Sequence, residues 1–175
     1  MEAIFTHTLT FVLGLFSERL RVRWAARTQR HQTIRQLVAC VQPAVESLRS
    51  GLRLLDNVDS VERLRAYFSV VPHAVDSEIL AELSEKVRGN LPFDQGTLAS
   101  WREAESAAKT CQKLFDQLQD QSVLPRQGNN AIGQIPALKD RFRAAEANVV
   151  TVLRRMATDA PTDALQTIRR LTGDA

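Results

Sequence analysis

Apolar positions along this chain recur at three- and four-residue steps rather than in alternation, and that period predicts helix through most of its length. Ile34, Leu37, Val38, Val41, Val45, Leu48, Leu52 and Leu55 make one stripe of a long amphipathic helix running from Ser17 to about Leu55. Pro43 lies inside it, lacks a backbone donor and crowds the preceding turn, so a kink or a division is expected there. Asp56 and Asn57 suit a turn, and Asp59 with Glu62 has the spacing of a capping box that opens a short helix to about Val70. Val71-Pro72 ends that helix, because the residue before a proline is driven out of helical geometry.

A further helix is expected from Asp76 to Gly89, with Ile79, Leu80, Leu83 and Val87 on its inner face, followed by a connector at Leu91-Pro92-Phe93. The clearest pattern runs from Thr97 to Gln121, where Leu98, Trp101, Ala104, Ala108, Cys111, Leu114, Phe115 and Leu118 keep one side apolar. Residues 121–136 hold Pro125, Gly128, Asn129, Asn130, Gly133 and Pro136 and are expected to form a long irregular loop. Pro136 then opens a helix carrying Leu138, Phe142, Ala145, Val149, Val152, Leu153 and Met156, and a last helix after Pro161 presents Leu165, Ile168 and Leu171. Matching stripes with short connections predict an all-α fold, a long N-terminal helix followed by an antiparallel helical bundle, with residues 56–175 packing on residues 34–55.

The first sixteen residues break this amphipathic pattern. From Ala3 to Phe16 there is no charge, and Ile4, Phe5, Leu9, Phe11, Val12, Leu13, Leu15 and Phe16 dominate. As a helix the run is about 21 Å long, short of the roughly 30 Å hydrocarbon core, so it is a borderline span that needs bilayer thinning and snorkelling flanks. His7, Thr6, Thr8 and Thr10 weaken it further. A cleaved signal peptide fits poorly, since positive charge follows the apolar run instead of preceding it.

Charge sharpens this picture. The 175 residues carry 23 Lys plus Arg and 20 Asp plus Glu, yet Ser17 to Arg35 alone holds six arginines and the single acid Glu18. The rest of the chain is therefore close to neutral, and the basic character is local rather than global. Arg19, Arg23, Arg27 and Arg30 follow 4, 4, 3 spacing and line one side of a helix, with Arg21 and Arg35 elsewhere around it. Such a stripe attracts anionic headgroups and, with a marginal apolar run, makes the two signals that stable membrane attachment needs. Positive charge beside the run places residues 17–175 on the cytoplasmic side of an inner or plasma membrane. Trp24 among these arginines suits a lipid interface, or else packs on a neighbouring helix, whereas Trp101 belongs to an apolar stripe and the core.

Chemistry is sparse. His7, His31 and His73 are scattered, and the grouping of His73 with Asp76 and Glu78 reads as charge around helix caps. No nucleophile elbow, P-loop or dinucleotide fingerprint occurs, and the Gly128 to Gly133 stretch has no following lysine at a helix start. The paired acids Glu103 with Glu105 and Glu82 with Glu85 fall on outward faces, and Glu82 with Lys86 makes a four-residue ion pair. Cys40 and Cys111 sit inside helical patterns and read as buried, reduced thiols of a reducing compartment. The expectation is a non-enzymatic protein without cofactor, metal or identified small-molecule substrate. Residues 1–16 would tether it to a membrane, residues 17–55 would form an arginine-rich helix, and the bundle would bind a protein partner or a second copy. A second reading makes Arg19, Arg21, Arg23, Trp24, Arg27 and Arg30 a phosphate-contacting face in a cytoplasmic nucleoprotein complex.

Overall fold

The computed structural model describes the backbone of residues 2–75, 85, 94–124 and 126–174, and the side chains of those ranges from residue 21 onward. Among the described residues all regular structure is helical. The helices are α1 (Glu2–Leu55), α2 (Val61–Val70), α3 (Gln95–Val123), α4 (Gly128–Gly133), α5 (Ile135–Ala157) and α6 (Thr162–Thr172). The helix expected over 76–89 and the connector at Leu91-Pro92-Phe93 lie outside the described residues, apart from the exposed, helical Glu85.

At 54 residues, α1 is about 80 Å long. Pro43 does not divide it. Pro43 is exposed, and the carbonyl it leaves without a helical partner belongs to the exposed Ala39, while buried Val41 and Val45 hold the helix on its other side. The start of α2 also differs from expectation. Ser60, not Asp59, is the N-cap, with its Oγ accepting the Arg63 N–H at 3.3 Å, and Asp59 instead pairs with Arg63 Nη1 at 2.8 Å. Asp94 caps α3 by accepting the Thr97 N–H at 2.6 Å, so that helix begins at Gln95 rather than Thr97.

The stretch expected to be an irregular loop contains α4. Gly128 is buried against Val61, and Ala131 is fully buried, so packing, not intrinsic propensity, winds this glycine- and asparagine-rich segment. The following helix starts at Ile135, with Pro136 in its first turn. The last helix, α6, closes on a left-handed residue, Gly173 at φ 74°, without the crowding a Cβ would bring.

Ion pairs trace the register. Asp56 with Lys139, Arg49 with Glu146, and Arg30 with Asp159 run in opposite sequence order along α1 and α5, so these helices are antiparallel. Arg35 with Asp163 and Glu46 with Arg170 run in the same order, so α6 is parallel to α1. The core has two sections. One joins Ile34, Leu37, Val41 and Val45 of α1 to Trp101, Leu153, Met156, Ile168 and Leu171. The other joins Leu48 and Leu55 to Leu64, Phe68, Cys111, Phe115, Leu118, Leu138 and Phe142.

In the second section Phe68 and Phe115 meet edge to face at 4.9 Å, and Tyr67 and Phe68 do so at 5.3 Å. Gly51 lets α1 come close here, since a Cβ at that position would lie 3.0 Å from Phe142 Cε1. Replacing the fully buried Phe115 by Ala is expected to lower unfolding free energy by about 3–5 kcal/mol in urea titration, whereas Ser60→Ala removes only the α2 cap and lowers it by about 1 kcal/mol.

Candidate functional site

From Arg21 to Gln29 every residue of α1 is exposed, and the first buried position is Thr33. A helix that buries one face has an apolar stripe. This stretch, RVRWAARTQ, has none, and Val22 and Trp24 are 64% and 76% exposed. It is a solvated helical stem projecting from the bundle, about 14 Å long from Arg21 to Arg30, with Ala26 and Arg27 bordering the α5–α6 connection across an open cleft. Its internal polar contact is the Thr28 hydroxyl donating to the Trp24 carbonyl at 2.9 Å.

The stem meets the bundle at Arg30. The Arg30 Nη2 bonds the carboxylate of Asp159 in the connection between α5 and α6. One turn on, Arg35 Nε bonds Asp163 at 2.7 Å, and this bond holds the Asp163 carboxyl below the usual carboxylate range. Ala26, Arg27, Arg30 and His31 on one side and residues 158–162 on the other line an open cleft of about 570 Å³. Deeper in, Arg49 joins three helices, bonding Glu146 at 2.6 Å and the Leu171 carbonyl at 2.6 Å.

Of the residues singled out from sequence, Arg21, Arg23, Trp24 and Arg27 are exposed on the stem, and Arg30 is engaged with Asp159. Arg21, Arg23 and Arg27 make no ion pair with another described residue. Trp24 does not pack on a neighbouring helix, which corrects that alternative: it is 76% exposed on the N-terminal side of Arg30, where α1 meets the connection between α5 and α6. Ile4, Phe5, Leu9, Phe11, Val12, Leu13, Leu15, Phe16 and Arg19 belong to α1 by backbone, and their side chains lie outside the described residues. Among the described residues no helix is long and apolar enough to cross a membrane.

Elsewhere, Trp101 is in the core at 3% exposure. Glu105 is not the outward acid expected: its side chain is 13% exposed and bonds Lys109 at 2.7 Å. His73 is exposed, with Asp76 and Glu78 outside the described residues, and among the described residues no three His, Cys, Asp or Glu come together to hold a metal. Cys111 is buried, and burial pushes its thiol up to about 12, while Cys40 is half-buried rather than enclosed. Burial likewise raises the Tyr67 phenol above its usual range. Tyr67 borders a shallow apolar groove lined with Leu54, Val58, Ala66 and Val70. Sequence reading missed the cleft because its two walls lie about 130 residues apart, as the separation of 129 between Arg30 and Asp159 shows.

No family model, curated protein or solved structure matches the chain.

Two outcomes are expected from this geometry. A thiol reagent at pH 8 labels Cys40 of the folded protein well before Cys111, because the buried Cys111 presents almost no thiolate. If both label at the same rate, the burial of Cys111 is wrong. Asp56, Asp94, Asp163 and Asp174 all have lowered folded-state values, through bonds from Lys139, the Thr97 N–H, Arg35 and Arg154 respectively. Their contribution is present above the unfolded value near 4 and is lost as pH falls through the folded one. The urea midpoint should therefore be lower at pH 3 than at pH 6, with the difference shrinking in high salt.

Proposed function

We propose that this chain is a non-enzymatic, membrane-tethered helical adaptor or scaffold. Its bundle lies on the cytoplasmic side of an inner or plasma membrane and binds a protein partner or a second copy. The observation that carries this reading is the stem from Arg21 to Gln29, helical yet exposed on every face. A polar helix of this length gains nothing from tertiary packing and is marginal in water on its own. Its persistence is supported from both ends, by the bundle below and by whatever receives the charge-free residues 3–16 above. A stem bearing Arg21, Arg23 and Arg27 around an exposed Trp24 has the composition of a lipid interface, where cations meet phosphates and indole sits at headgroup depth.

Full-length protein should float with phosphatidylserine-rich vesicles at low salt and less so at high salt. A chain lacking residues 1–16 should lose most of that binding. Reversing two stem charges, Arg23→Glu with Arg27→Glu, should weaken flotation by more than about tenfold, given roughly 1 kcal/mol per basic residue at the surface. A full-length protein that stays monodisperse without detergent and never floats defeats the tether. Salt-sensitive retention on DNA or RNA, abolished by changing Arg19, Arg23, Arg27 and Arg30 to Ala, would establish the nucleic-acid reading in its place.

A further inference from the structure

The arginine stripe and the bundle occupy the same side of α1. Leu48, Val45, Val41, Leu37 and Ile34 are buried at three- and four-residue steps, and the same steps continue through Arg30, Arg27 and Arg23, with Arg19 next in spacing. Contacts agree with the register. Arg30 bonds Asp159, and Arg27 and Arg30 both line the cleft against residues 158–162. The helices α5 and α6 therefore stand beside α1 on the stripe side, with packed axes about 8–10 Å apart.

This shared side limits how α1 meets a lipid surface. With α1 lying flat and the stripe facing lipid, α5 and α6 would have to sit beneath the headgroup plane, although both carry exposed charges, Arg154 and Arg155 on α5 and Arg169 on α6. With α1 lying flat on the opposite side, Arg21 is the one stem cation left facing lipid, and Arg23 and Arg27 point away. Neither orientation uses the cluster.

Resting on the membrane reading above, we infer that α1 enters an anionic lipid surface steeply, end-on. Arg19, Arg21 and Arg23 surround the helix at headgroup level. Residues 3–16 are directed into the lipid, and the turn from Trp24 to Arg27 sets the bundle just off the surface, with the α5–α6 connection that borders Arg27 across the cleft facing the headgroups. The ligand is an array of phosphodiester headgroups around a helix, not one phosphate in the cleft.

Nitroxide labels placed singly at residues 21 to 29 of the full-length chain, with Cys40→Ser as background, report this on phosphatidylserine-rich vesicles. Lipid protection should decline steadily from 21 to 29 whichever side a residue occupies. Arg21→Ala and Arg23→Ala should weaken flotation equally, by about fivefold each, and Arg27→Ala by less. Protection that repeats every three to four residues, or loss at Arg23 and Arg27 with none at Arg21, overturns the end-on geometry while leaving the tether standing. Absence of flotation by the unlabelled full-length chain defeats the tether and this geometry together.

Discussion

Burial of one face of α1, from Thr33 to Leu55, is what the remaining helices are assembled on. Ile34, Leu37, Val41 and Val45 close the core section that includes α6, and Leu48 and Leu55 close the section that includes α2. Because the same helix runs through both, α2, α3, α5 and α6 share one frame. Gly51 shows how tight that frame is: α1 approaches Phe142 closely enough that a methyl group would press on the ring. The frame ends at the connection where α5 ends and α6 begins, and there α1 changes from a packed helix into a solvated stem.

The ion pairs at this boundary act on geometry more than on stability. Arg30 with Asp159 and Arg35 with Asp163 are largely exposed, and such pairs contribute little in water. Their effect is to fix the direction in which the stem departs, since both reach from α1 to the connection and first turn of its neighbours. Arg49 is more enclosed, and by bonding Glu146 and the last-turn carbonyl of Leu171 it ties α1, α5 and α6 at one level. A stem rigidly continuous with a bundle transmits orientation, which a flexible linker does not. Under the proposed membrane reading, a tether built this way would set the attitude of the bundle as well as its location.

Among the described residues, burial holds the Cys111 thiol and the Tyr67 phenol protonated, Asp94 caps α3 and Glu146 pairs across helices with Arg49. The exposed features of the described residues include a cationic, indole-bearing stem and a shallow apolar groove beside Leu54 and Val70.

The periodicity of Ile34 to Leu55, of Trp101 to Leu118 and of Leu138 to Met156 was enough to name the three long helices and most of the core they supply, because a helix in water must bury an apolar stripe and the stripe is written in spacing. The buried Leu64, Tyr67 and Phe68 of the short α2 were not picked out. Local chemistry misplaced details that packing decides. Ser60 outcompeted Asp59 as cap, α4 formed in a segment with poor helix propensity because Gly128 and Ala131 are enclosed, and Pro43 was absorbed on an exposed face. The concentration of arginine beside a charge-free run was likewise legible from the residues alone. That this stem stands free of the bundle, that Arg30 is already taken by Asp159, and that the stripe shares its side with α5 and α6 were decided only in three dimensions. They depend on where helices distant in sequence begin and end beside one another, and no local spacing encodes that.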